Sequence, residues 1–116
     1  MRTVQLSIAD AGYAAVLREA LTRTGPWHVE TVDHPDPARR CVLVLDGSSF
    51  ERLPLPLNNP ERVVLISQQD PQLLARAWDA SIVSVLSTDD SLPTVLLAIM
   101  AAALRIGKSQ AHPVAV

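Results

Sequence analysis

Residues 40–47, RCVLVLDG, constrain this chain more than any other stretch. Five consecutive apolar residues, Cys41 to Leu45, leave no polar side for solvent. A strand here must be buried on both faces, as an inner strand of a parallel sheet is. The run ends in Asp46–Gly47. In open α/β sheets the crevice outside the carboxyl ends of the strands is where ligands bind and chemistry is done, so Asp46 is the first candidate functional residue.

The rest of the chain repeats that design. Residues 3–8 (TVQLSI) alternate as a first strand and end at Ala9–Asp10, a second carboxylate at a strand end. Over residues 12–24 the apolar positions Tyr13, Val16, Leu17, Ala20 and Leu21 recur at helical spacing until Gly25–Pro26 stops them. Residues 27–32 (WHVETV) form a short strand, and DHPDPARR is too rich in proline and charge for more than one helical turn. After the central strand, SSFERLPLPLNNPE holds at most one turn around Phe50 before a Leu-Pro alternation that favours extended chain. Residues 62–66 (RVVLI) are a further apolar strand, Pro71 opens a helix over PQLLARAWDA, and residues 81–86 (SIVSVL) make the fifth strand. The last helix is expected over residues 92–106, with Asp89, Asp90 and Ser91 as caps and Gly107 as its stop. Five strands alternating with helices predict an α/β fold with a doubly wound parallel sheet. Residues 1–107 form the domain, and residues 108–116 (KSQAHPVAV) read as linker or frayed tail.

Composition narrows the function classes. At 116 residues and 48% hydrophobic content the chain suits one domain with its own core. A net charge of -2 gives no basic field to hold a phosphate backbone, so no nucleic-acid contact is expected of this domain alone. Cys41 has no cysteine partner and packs as a small hydrophobe in the central strand. Neither a signal peptide nor a window long enough to span a membrane is present, and a cytoplasmic setting is the expectation. His28, His34 and His112, with Asp33 and Asp36, form no tight metal-ligand spacing. Ser48–Ser49 lacks the G-x-S-x-G elbow of a hydrolase, and His34-Pro35-Asp36 lacks the long flanking helices of a co-chaperone J-domain. No enzymatic activity is expected.

Four places, IAD at the first strand end, VLVLD at the third, VVLISQQDPQLLARAWDA at the fourth strand and helix, and VLSTDD at the fifth, resemble the receiver domain of bacterial response regulators. The resemblance covers residues 3–107 and is closest to receivers that precede a helix-turn-helix output domain. It implies a CheY-like, flavodoxin-like sheet of order 2-1-3-4-5, here with shortened second and third helices. It also implies that the phosphoacceptor falls on Asp46 and the phosphoryl-sensing hydroxyl on Ser67. The family's acid pair after the first strand becomes Asp10 and Ala11, its lysine after the fifth strand becomes Thr88, and its aromatic switch position becomes Val85.

Those departures have a physical cost. Phosphoryl transfer to a carboxylate needs a cation to neutralise charge on the phosphoryl oxygens, and a hard divalent cation wants several oxygen ligands. With only Asp10 and Asp46 left as ligands, magnesium binding is expected to be weak or lost, and no other cofactor is implied. Replacing a lysine by Thr88 removes a preorganised charge of a kind worth about 3–4 kcal/mol where single donors have been deleted. The link between the second and third strands is also shorter than the dozen residues a parallel crossover usually needs. Taken alone, Asp46–Gly47 is a strand-ending turn and Asp10 a helix cap. Two strand-end acids together point to a former or residual site.

In the last helix, LPTVLLAIMAAALRI, only Thr94 and Arg105 are clearly polar. A helix apolar all round must be buried all round, and one side on the sheet leaves Leu96, Met100 and Ala103, or a neighbouring row, for a partner. The reading is a degenerate receiver, a pseudo-receiver, acting as a protein-interaction and dimerisation module in signal transduction or transcriptional control. It would form a homodimer through this helix and act on an output domain or a regulatory protein. Two alternatives stand beside it: a phosphorylatable receiver with Asp46 as acceptor, and a small-molecule sensor whose ligand fills the crevice at Asp10, Asp46 and Thr88.

Overall fold

A computed structural model describes residues 2–34, 41–53, 60–68, 70–82 and 84–110. Its strands are β1 (Arg2–Ser7), β2 (Trp27–Thr31), β3 (Val42–Leu45), β4 (Val63–Ser67) and β5 (Ser84–Ser87). All neighbouring strands pair in parallel, in the order β2-β1-β3-β4-β5. The helices are α1 (Ala11–Thr24), α2 (Gly47–Glu51), α3 (Pro71–Asp79) and α4 (Leu92–Gln110), with a 3-10 turn at Pro60–Arg62. This is the doubly wound, flavodoxin-like arrangement expected above.

The alternation of side chains across a strand explains the layers. Val42 and Val44 of β3, with Val64 and Ile66 of β4, point to one face, where Leu17 and Leu21 of α1 and Val95 and Ile99 of α4 cover them. Leu43 and Leu45, with Val63 and Leu65, point to the other, against Phe50 of α2 and Leu73 and Ala77 of α3. Fully burying each such side chain contributes about 1.5–3 kcal/mol, so the two central strands alone require both helical layers.

The second face changes character toward β1 and β2. There Gln5 and Ser7 alternate with the core residues Val4 and Leu6. Gln5 donates from Nε2 to Glu30 Oε1 at 3.2 Å, and the Ser7 and Ser49 hydroxyls pair at 3.0 Å. Polar buried side chains are tolerated only when paired, and here each is. This is the side of the sheet where the sequence has no room for a full crossover helix after β2. That short link falls largely on residues 35–40, and the Leu-Pro loop on residues 54–59; both lie outside the described residues. The single turn expected around Phe50 is α2, five residues long.

Three features differ from expectation. Gly107 does not stop the last helix, which runs on to Gln110. A glycine inside a helix costs only about 1 kcal/mol relative to alanine, little against the propagation of a long helix already formed. The first of residues 108–116 are therefore helical. The fifth strand starts at Ser84, because residues 80–82 end α3 instead. Ser81 takes a left-handed φ of 67°, its N–H bonds to Trp78 O, and Ile82 N–H reaches back to Ala77 O, both at 3.0 Å. That double bond is a Schellman closure, with Ile82 packed beside Ala77.

The third difference lies in α4. Ala103 is only 9% exposed and belongs to the core, and Leu96 packs against it. Of the row expected at the surface only Met100 remains exposed, and its exposed neighbours are Leu97 and Leu104. The sheet contact is rotated by about one position, which the near-uniform apolar sequence could not specify.

Left-handed backbone is disfavoured for a residue with a Cβ and free for glycine. Ser81→Gly is therefore expected to stabilise the domain by about 0.5–1 kcal/mol, read as a raised urea midpoint at unchanged m-value. A lowered midpoint would mean that Ser81 makes a compensating contact.

Candidate functional site

Parallel strands end at one edge, and the first residues after β1, β3 and β4 meet there. The acids at these points share a local role. Asp10 is the N-cap of α1, Asp46 of α2 and Asp70 of α3. The first N–H groups of a helix have no intrahelical partner, and an aspartate that accepts from them is worth about 1 kcal/mol. Asp10 Oδ1 accepts from Tyr13 N–H at 3.1 Å and Asp70 Oδ1 from Gln72 N–H at 3.0 Å. Asp46 is more heavily engaged. Its Oδ1 accepts from Ser49 N–H at 2.9 Å and the Ser48 hydroxyl at 3.2 Å, and its Oδ2 from Ala9 N–H at 2.7 Å.

Burial pushes the Asp46 carboxyl up, but the bonds from Ala9 and Ser49 N–H, joined by the Ser49 and Ser48 hydroxyls, outweigh it and hold the group below its ordinary 3.8. Asp46 is thus an ionised carboxylate with both oxygens committed to protein donors. It ties β1 to β3 and closes the turn into α2.

These residues border a crevice of about 490 Å³. Its apolar walls are Ile8, Tyr13, Ile66 and Leu73, and its polar positions include Asp10, Asp46, Ser67, Asp70 and Thr88. The structure therefore brings together all four sequence candidates at the carboxyl edge: Asp10, Asp46, Ser67 and Thr88. Gly47 sits at the mouth, where an added Cβ would come within 2.9 Å of Leu73 Cδ2, so glycine lets α3 close on the turn. Ser67 is 7% exposed, and its hydroxyl has no hydrogen-bond partner among the described residues. Thr88 N–H donates to Ser67 O at 3.1 Å, joining the ends of β4 and β5. Val85 is half-buried against the α3 side of the sheet. Burial, and then the charge of Asp90, raise the Tyr13 phenol.

A hard divalent cation needs several oxygens at once, and at this edge both Asp46 oxygens and Asp10 Oδ1 already accept from N–H or O–H groups. Among the described residues no three His, Cys, Asp or Glu side chains gather as a metal site.

Asp70 and Tyr13 were not singled out from the sequence as site residues. The signal for Asp70 was present, since an aspartate directly before a proline that opens a helix is an N-cap pattern. Arg62 was read only as the first residue of an apolar strand. It is buried and donates from Nη1 to Cys41 O at 3.1 Å, far from the crevice at the opposite strand ends.

A carboxyl whose folded-state value lies below its unfolded value stabilises the fold above the unfolded value and loses that contribution as pH falls through the folded one. Asp46→Asn keeps a capping oxygen but cannot titrate. Stability measured by urea unfolding is expected to fall less steeply below about pH 4 in the variant than in the parent; equal acid limbs would show that Asp46 carries no such linkage.

No family model and no curated protein matches the chain by sequence. Among solved structures, FixJ-N aligns over 100% of this chain and 98% of its own, with a TM-score of 0.65 and 18% identity. The response regulator StyR aligns over 94% of this chain and 62% of its own, with a TM-score of 0.67 and 23% identity. A response regulator protein from Burkholderia pseudomallei, solved with a phosphorylated aspartic acid, a calcium ion and citrate, aligns over 100% of this chain and 78% of its own, with a TM-score of 0.59 and 15% identity. No helix of the described residues is long and apolar enough to cross a membrane. Strand order, a crevice at the carboxyl edge and these likenesses together make the fold of this chain that of a response-regulator receiver domain.

Proposed function

We propose that this chain is a degenerate receiver, a pseudo-receiver, that works in signal transduction or transcriptional control by binding partners instead of by accepting a phosphoryl group. The observation that carries the reading is the state of Asp46, whose two oxygens both accept from protein donors that hold β1, β3 and α2 together. An acceptor must present a free oxygen in line with a phosphoryl donor, and a cation must neutralise the charge that develops. Ala11 and Thr88 stand where the resembled family has a second acid and a lysine, so neither charge is supplied.

A receiver without chemistry transmits only through contacts. The exposed apolar row Leu97, Met100 and Leu104 on α4 is the surface we assign to self-association. The likeness covers only 62% of StyR and 61% of full-length FixJ from B. japonicum. That proportion suits a receiver unit acting in the cytoplasm on an attached output domain or a separate regulatory protein, with nucleic-acid contact left to that partner. The second reading, a phosphorylatable receiver, draws on Ser67, which lines the same crevice as Asp46 and whose hydroxyl has no partner among the described residues.

Incubation with acetyl phosphate and magnesium, followed by intact mass measurement, separates the two. The expected result is no adduct above that of Asp46→Asn; a substantial adduct in the parent alone overturns the proposal. For the contact surface, light scattering at high concentration is expected to show a dimer that Leu97→Glu or Met100→Glu converts to a folded monomer. A parent that stays monomeric removes self-association from the reading.

A further inference from the structure

We propose that the outward face of α3 docks a basic amphipathic helix of a partner protein, one whose apolar stripe is bordered by Lys or Arg. The inference rests on the reading that this domain works through contacts, and it names the chemistry of one such contact. α3 has two apolar sides. Leu73 and Ala77 turn inward and join the core beside Ile82. Pro71, Leu74, Ala75 and Trp78 are all exposed, Leu74 at 40% and Trp78 at 82%. Their spacing, i, i+3, i+4 and i+7, places them on one stripe turned away from the core. Phe50 is buried and Tyr13 and Trp27 are half-buried, so Trp78 is the one aromatic side chain of the described residues left in solvent. An aromatic side chain of this kind offers roughly 150–250 Å² to a partner and loses few rotamers on binding. Single exposed apolar residues are ordinary, whereas a contiguous stripe with an aromatic at its end has the composition of a contact surface.

The spacing and the charge of the stripe select its occupant. Four helical residues so spaced frame one hole, with the small Ala75 among them, and in helix packing the side chain that fills such a hole comes from a facing helix. The surrounding charge is acidic. Asp70 lies at the first end of the stripe and Asp79 at the last, both exposed. Arg76, the only cation of α3, is engaged with α2, where its Nη2 donates to Glu51 Oε1 at 2.6 Å. A second copy of this face is therefore disfavoured. Parallel pairing would set each acid against itself and antiparallel pairing would set Asp70 against Asp79, and like charges at a contact repel. A helix with Lys or Arg beside its apolar stripe meets both acids favourably. The surface is also separate from the α4 row, because α3 covers one face of the sheet and α4 the other. A dimer through α4 and a partner on α3 can coexist.

Amide NMR titration with two synthetic helical peptides tests this directly, one with a Leu stripe bordered by Lys and one with the same stripe bordered by Glu. The Lys peptide is expected to give saturable shifts centred on α3, with a blue shift of tryptophan emission as Trp78 leaves water. The Glu peptide should bind about tenfold more weakly or worse. Trp78→Ala should weaken the Lys peptide by about tenfold, as loss of a central aromatic anchor does, and Asp79→Asn by several-fold, each with distant amides in place. Val16→Ala, which trims another exposed apolar residue on α1, should leave binding unchanged. Equal binding of the two peptides, shifts centred on α4 instead of α3, or no saturable shift with either overturns the proposal. Concentration-dependent shifts of the α3 amides in the protein alone also overturn it, since the occupant would then be a second copy. None of these results alters the intact-mass test, so the pseudo-receiver reading is decided separately.

Discussion

The burial of β3 and β4 on both faces is the constraint from which the rest of the structure follows. Val42 and Val44 must be covered on one side and Leu43 and Leu45 on the other, and no single layer of helices can do both. Two layers force the chain to cross over the sheet between successive strands. Crossovers make the strands parallel, and parallel strands bring every carboxyl end to one edge. The crevice is therefore a consequence of how the core is buried.

The same geometry explains why acids collect at that edge. β1, β3 and β4 each feed a helix there, each helix begins with N–H groups lacking partners, and Asp10, Asp46 and Asp70 each accept from one of them. A carboxylate that caps a helix is partly consumed by doing so. Asp46 is engaged at both oxygens, because Ala9 N–H donates to the second and makes the residue a clamp between β1 and β3. Asp10 and Asp70 cap their helices through Oδ1 alone among the described residues.

The polar half of the α3 side of the sheet has a related origin. Where the chain after β2 is too short to supply a full helix, Gln5, Ser7 and Glu30 replace aliphatic residues and find partners in one another and in Ser49. At the opposite strand ends, Arg62 joins β3 to β4 through Cys41 O, and Arg105 of α4 bonds Glu61 O and Ser84 Oγ. Aliphatic packing at the centre thus gives way to hydrogen bonds at the margins.

What the sequence determined by itself was whatever depends on local period and punctuation. The unbroken runs at 41–45 and 62–66 marked inner strands, the helical spacing of Tyr13, Leu17 and Leu21 marked α1, and the strand-ending Asp10 and Asp46 marked the edge where a site forms. These are readable because alternation, spacing and caps act within a few residues. Tertiary structure alone decided which side of α4 meets the sheet, since a helix apolar all round carries no stripe to orient it; packing chose Val95, Ile99 and Ala103 for the core and left Leu97, Met100 and Leu104 outside. It also decided that both Asp46 oxygens accept from protein donors and that the Ser67 hydroxyl has no partner among the described residues. Those facts depend on Ala9 and Ser67 arriving beside Asp46 from β1 and β4, and distance in space between separate strands is not written in the order of residues along any one of them.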